Sequence, residues 1–360
     1  MLRALLDNRL NLLAIAAPVS WIVDTVLPES PWVFITAAIS LVPLAGIIGL
    51  GTEQLAARSG PAFGGLLNAT FGNAAELIIA IVALMGGHVD LVKASITGSI
   101  VGNLLLVLGL SFFVGGLGRR TQNFHRTAAT NATAMLFLAV VALVVPAVFD
   151  LAVYGRLGVE PAAIERLSFW SACVLMVAYA GSLIYAFTAH RDLFRSGHAS
   201  GKSHLMPRAT AVSLLALGTI LTAIQAEILV GAMQPALAQF HFTELFVGVI
   251  VIAIIGNAAE HYSAIVAARH DQMTLAVEIS IGSSAQIALL VAPALVLYSH
   301  VLGHPMSLLF NAFEITAIAL SVLATSIVVV DGESNWVEGL QLMAVYLILG
   351  LAFYFVPETR

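Results

Sequence analysis

GNAAELIIAIVA at residues 72–83 and GNAAEHYSAIVA at residues 256–267 decide the fold of this chain. Nine of the twelve positions match at an offset of 184. The same offset aligns Gly64 with Gly248, Gly98-Ser99 with Gly282-Ser283, and Leu105-Leu106-Val107 with Leu289-Leu290-Val291. One architectural unit is therefore used twice.

Around these motifs the sequence is mostly apolar. Sixty per cent of the 360 residues are hydrophobic and ten per cent are charged. A water-soluble surface needs far more charge than that, so the solvent for most of the chain is lipid. The net charge of −5 includes no basic run that would suit nucleic acid. Apolar runs of membrane-spanning length recur at roughly 10–27, 32–57, 61–86, 92–116, 127–148, 166–189, 208–237, 243–268, 273–298, 306–329 and 336–356. These predict an all-α integral membrane protein of eleven helices. The first run has no small-residue cleavage site and reads as a span, not a signal peptide. The only cysteine, Cys173, lies within an apolar run, so no disulfide shapes the fold.

The repeat divides the chain. Residues 1–30 form a leading helix, 31–190 a first five-helix repeat, 191–207 a polar linker, and 208–360 a second five-helix repeat. An odd number of helices per repeat makes the second enter from the opposite side, as in many secondary transporters. Basic residues set the orientation: with the N-terminus in the cytoplasm, eleven lie inside and four outside, namely Lys93, Arg156, Arg166 and Arg360. The expectation is an N-terminus inside and a C-terminus outside a bacterial inner membrane.

Glu76 and Glu260 carry the chemistry. Each lies about fifteen residues into its apolar run, where a carboxylate costs several kcal/mol unless paired, neutralised or wetted. Asn73 precedes Glu76 by three residues, and Asn257 precedes Glu260 likewise, so on a helix both oxygens share a face. Gly72 and Gly256 permit close helix approach or a local break. Two carboxylates with amide oxygens suit a hard divalent cation such as Ca2+. The set lacks the paired thiolate and imidazole ligands expected for zinc or copper. When the cation leaves, two bare carboxylates in low dielectric repel each other, and protons take its place. Competition between one cation and protons for the same oxygens is the core of an exchanger.

Neighbouring helices offer further oxygens at Ser99, Asn103, Ser283 and Gln286, for which helix-to-helix hydrogen bonding is the competing role. Glu53 and Glu227 lie near the ends of their spans, where they would attract cations, relay protons or snorkel to water. His261 follows Glu260 without a repeat counterpart and reads as a proton carrier or a packing residue. Glu278, Glu314 and Glu338 read as structural or vestibule residues.

The two GNAAE segments resemble the paired signature of the calcium/proton exchanger (CAX) family, within the calcium:cation antiporters. The resemblance extends to GLGTEQLAARSG at 49–60, GSIVGNLLLVLG at 98–109, GSSAQIALLV at 282–291, NAFEITAIALSV at 311–322 and DGESNWVEGLQL at 331–342. It implies eleven helices in two inverted halves and Glu76 and Glu260 as central cation ligands. It further implies supporting roles for Glu53, Glu227, Asn73, Asn257, Ser99, Ser283 and Gln286. Ca2+ and protons would be transported substrates, with no cofactor and no catalytic residue. The linker HRDLFRSGHASGKSH departs from the acidic segment usual in the family.

A broad Na+ or K+/H+ antiporter of the same fold is the alternative reading. An intramembrane metalloprotease would need a motif such as HExxH, which the sequence lacks. A passive channel is a further alternative, although its filter should not need two carboxylates sealed at midplane in an inverted pair. The partners expected are the ions and the lipid bilayer; a homo-oligomer stays open.

Overall fold

The computed structural model describes residues 13–59, 61–155, 162–189 and 206–357. Most of the 191–207 linker, the start of the first span, and Arg156 and Arg360 lie outside these residues. The described chain is helical apart from a two-residue antiparallel ribbon, β1 (Gln122–Asn123) with β2 (Glu333–Ser334).

Among the described residues, seven helices are long and apolar enough to cross a membrane, or eight if Met233–Phe240 and Glu244–Gly256 count as one span. Three shorter apolar helices accompany them: Leu13–Val26, Ala74–Met85 and Ala312–Val328. Two expected spans differ from the sequence reading, besides the two runs that carry the GNAAE motifs. The run 208–237 breaks at Ala232, so Met233–Phe240 is a separate helix. The run 306–329 becomes helical only at Ala312, where Asn311 and Glu314 close a capping box. Asn335 and Glu338 do the same at the start of the last helix, Trp336–Phe355. Each box satisfies orphan N–H donors that lipid could not. Glu314 and Glu338 are thus helix caps.

Two compact units emerge, and each draws helices from both halves of the sequence. The first comprises residues 1–88, 180–242 and 255–259. Its centre is the packing of α1 (Pro31–Ala56) on α2 (Arg208–Gly231). Against these lies α3 (Ala74–Met85): Ala74 and Ala75 pack with Ala45, Ile48 and Leu215. The small side chains of the GNAA motif therefore bring the start of α3 close to both long helices. Buried Gln225 accepts a hydrogen bond from Ser20 at 2.8 Å and donates to the Ala17 carbonyl at 3.3 Å.

The second unit comprises residues 89–179, 243–254 and 260–360. Its axis is α4 (Val89–Gly116), which is 83% buried over its apolar window. Gly98 of α4 faces Val249 so closely that a Cβ would run into the Val249 carbonyl. Also in this unit are α5 (Ala258–Arg269), from Glu260 onward, and α6 (Met273–Val301). The helices α4 and α6 both widen into π turns, at Gly102–Val107 and Ile287–Val291. The repeat offset carries the first onto the second, so the duplicated sequence builds a duplicated backbone irregularity.

Lys93 corrects the sequence reading. It was counted among the basic residues outside the membrane, but it is only 5% exposed. Its ammonium donates to the Leu309 carbonyl at 2.8 Å and to Ser307 Oγ at 3.3 Å. A paired, buried lysine says nothing about leaflet charge. Without it the basic count is eleven against three, which keeps the expected orientation.

Candidate functional site

Both signature motifs fold alike. The chain leaves helical geometry at Gly72-Asn73 and again at Asn257, then restarts at Ala74 and Ala258. Asn73 is therefore the cap of α3 and Glu76 its third residue, and Glu260 holds the same place in α5. A first-turn carboxylate faces N–H groups with no intrahelical partner and the positive end of the helix dipole. The sequence allowed either one continuous helix or a break; the break is what forms, and it makes each glutamate an N-terminal one.

Asn73, Glu76 and Asn257 belong to the first unit and are buried, at 1%, 7% and 0% exposure. The carboxylate arm of Glu76 lies on Gly256: a Cβ there would stand 3.2 Å from Glu76 Cγ. Asn257 follows directly, so amide and carboxylate oxygens of two motifs share this unit. Glu53 and Glu227 are both exposed, on α1 and α2.

Glu260, His261, Ser99, Asn103, Ser283 and Gln286 belong to the second unit. Asn103, in the π turn of α4, donates from Nδ2 to Ser283 Oγ at 3.2 Å. The Ser283 hydroxyl in turn donates to the Glu260 carboxylate. Oε2 of Glu260 is buried and has no hydrogen-bond partner among the described residues. Ser99 is buried, while His261 and Gln286 are half-buried. The chain Asn103–Ser283–Glu260 had no trace in the repeat, because the offset carries Asn103 onto Ile287.

Among the described residues, no three His, Cys, Asp or Glu side chains come together. A cation held beside Glu260 would draw on neutral amide and hydroxyl oxygens as well as the carboxylate, a donor set that suits Ca2+. A buried, orphaned carboxylate oxygen is costly, and either a cation or a proton would relieve it.

A family profile described as sodium/calcium exchanger protein matches residues 29–188 and 210–355. The Ca(2+)/H(+) antiporter of Synechocystis is 42% identical over 342 residues, covering 90% of this chain and 91% of that one. The Ca(2+)/H(+) antiporter ChaA of Bacillus subtilis is 39% identical over 361 residues, covering 96% and 99%. The structure of native YfkE superposes with a TM-score of 0.83 at 39% identity, again over 96% of this chain and 99% of that one. The chain belongs to the sodium/calcium exchanger family, in its calcium/proton exchanger branch.

Proposed function

We propose that this protein exchanges Ca2+ for protons across the membrane by alternating access, with Glu76 and Glu260 taking the cation or protons in turn. The carrying observation is Glu260: one hydroxyl donor, from Ser283, and one buried oxygen that has no partner among the described residues. Such a carboxylate is incomplete until a cation or proton arrives. Glu76 supports the reading through its repeat-related place in the first turn of a restarted helix. The names of the two antiporter relatives agree with the proposed cargo.

Asn73, Asn257, Ser99, Ser283 and Gln286 supply the neutral oxygens. Glu53, Glu227, His261 and Asn103 serve the path of the ions. The proposed topology has eleven crossings, one leading helix and two inverted five-helix halves. The N-terminus is placed in the cytoplasm and the C-terminus outside a bacterial inner membrane, a reading supported by the basic-residue count. Occupation by Ca2+ or by protons neutralises the carboxylates, and the neutral state is the one that crosses between access states.

The test is cation-driven proton flux in sealed proteoliposomes, with Ca2+, Na+, K+ and Mg2+ supplied separately. Ca2+-dependent proton movement is expected. Proton movement driven by Na+ or K+ alone would replace Ca2+ as the cargo, and cation flux without proton movement would make the protein a channel.

A further inference from the structure

The end of α4 carries a feature that ion exchange does not use. A cavity of about 470 Å3 is lined by Val114, Leu117, Gly118, Arg119 and Arg269. All five residues belong to the second unit. Val114 and Leu117 make part of the lining apolar, and Leu117 is 56% exposed. Arg119 and Arg269 contribute two basic residues.

Arg119 is held in place. It donates to the Gly115 carbonyl at 2.6 Å and to the Arg269 carbonyl at 3.4 Å, and its Nε lies 3.9 Å from Asp271 Oδ1. Asp271 is itself engaged by Gln122 Nε2 at 2.6 Å. A guanidinium has five N–H donors, so these contacts orient Arg119 without exhausting it. Arg269 is exposed, and among the described residues nothing pairs with its guanidinium. The lining holds two arginines and no acidic residue, and Asp271 meets only one of them, so the cavity is net positive.

Its depth in the membrane can be read from its neighbours. The apolar helix α4 stops at Gly116, and the polar ribbon of Gln122–Asn123 with Glu333–Ser334 follows. Trp336 is 43% exposed, its backbone packs on Gly116, and its ring stands edge-on to Phe113 at 6.5 Å between centroids. Tryptophan at a helix end marks the headgroup layer. The cavity is thus level with lipid headgroups, and its lining combines basic and apolar residues.

We propose that this cavity binds the headgroup of an anionic phospholipid, with the phosphate on Arg119 and Arg269 and the first part of an acyl chain along Val114 and Leu117. Under the proposed topology the lipid belongs to the cytoplasmic leaflet, where anionic headgroups and basic juxtamembrane residues attract each other. A soluble anion would satisfy the arginines but leave Leu117 uncovered.

Native mass spectrometry of the full chain in detergent, with phosphatidylglycerol or phosphatidylcholine added, reads this directly. Phosphatidylglycerol should be retained in preference to phosphatidylcholine. Arg269→Gln should cut that preference about fivefold, the effect of one basic residue near an anionic surface. Leu117→Glu, which puts a like charge into the cavity at an exposed position, should abolish it even if Arg269→Gln proves unstable. Arg208→Gln, remote in sequence and in the other unit, should leave it unchanged. Equal retention of the two lipids would overturn the proposal. So would an equal loss in Arg208→Gln, which would reduce the effect to bulk charge. Displacement of phosphatidylglycerol by equimolar inorganic phosphate would reassign the cavity to a soluble anion. None of these readouts depends on transport, so they stand or fall apart from the ion-exchange reading.

Discussion

Gly256 lies against the carboxylate arm of Glu76: a Cβ at position 256 would stand 3.2 Å from Glu76 Cγ and 3.8 Å from its Oε1. The glycine of one signature motif is thus the floor under the glutamate of the other. Gly256→Ala should push Glu76 aside at a cost of about 1–3 kcal/mol, typical of overpacking. We expect Ca2+-dependent proton flux to fall at least several-fold while the purified protein stays monodisperse. Unchanged flux would mean that the position of Glu76 is not critical.

Glu76→Gln and Glu260→Gln should each abolish exchange with the fold retained. Glutamine keeps the shape but carries neither the charge that balances a cation nor the proton that replaces it. Proteoliposome flux, set beside size-exclusion profiles, checks this. Substantial exchange in either variant removes that residue from the central role.

Ser283→Ala and Asn103→Ala probe the hydrogen-bonded chain to Glu260. Ser283 donates to a carboxylate, and such a bond is worth roughly 1.5–3 kcal/mol. Loss of the hydroxyl should weaken Ca2+ binding about tenfold or more by that measure. Asn103 holds Ser283 from 3.2 Å. Its loss should be milder, and the double variant should be no worse than Ser283→Ala. Additive losses, seen by calorimetry on the purified variants, would show that the two residues act separately.

Gly98 and Gly282 are repeat equivalents with opposite surroundings. A Cβ on Gly98 runs into the Val249 backbone, whereas one on Gly282 meets nothing within 4 Å. Gly98→Ala should destabilise by about 3 kcal/mol, the upper end for overpacking. Gly282→Ala should be neutral or slightly stabilising, since alanine costs less than glycine within a helix. Thermal melts in detergent separate the two; equal melting temperatures would contradict the packing at Gly98.

Direct competition fixes the sign of the pH dependence. Protons and Ca2+ seek the same oxygens, so apparent Ca2+ affinity should strengthen as pH rises and protons leave. Binding measured at fixed ionic strength checks this, since surface screening would respond to salt instead. An affinity that does not move between mildly acid and mildly alkaline pH would place the protons elsewhere, with His261, Glu53 and Glu227 next to be examined.

Much of this was legible in the sequence. The repeat gave the helical class and both glutamates, because apolar runs are long and a carboxylate within them stands out. The breaks at Asn73 and Asn257 were only half visible. Glycine permits a break, but whether one forms depends on what packs around it, as Ala74 and Ala75 do on Ala45 and Ile48. The π turns left no local pattern, since a π turn depends on tertiary packing more than on residue type. Lys93 misled because a basic residue beside a span end reads as a loop charge; its partners Ser307 and Leu309 are more than 200 positions away. The boxes at Asn311–Glu314 and Asn335–Glu338 did follow a readable Asn-x-x-Glu spacing.

The interruption at Gly72-Asn73 also bears on how the protein is made. Residues 61–86 form one apolar run of spanning length, yet the finished helices within it are Pro61–Phe71 and Ala74–Met85. The second, of twelve residues, reaches only about 18 Å at 1.5 Å per residue, short of a ~30 Å hydrocarbon core. An insertion machinery that weighs apolar length would accept the run as a single unbroken helix. Opening it in lipid exposes peptide groups that lipid cannot satisfy. The opening must therefore wait for the rest of the chain, because Gly256 and Asn257 are synthesised some 180 residues later. On this argument the first half would enter the membrane in a shape that it later abandons, and the arrival of the second half would complete it.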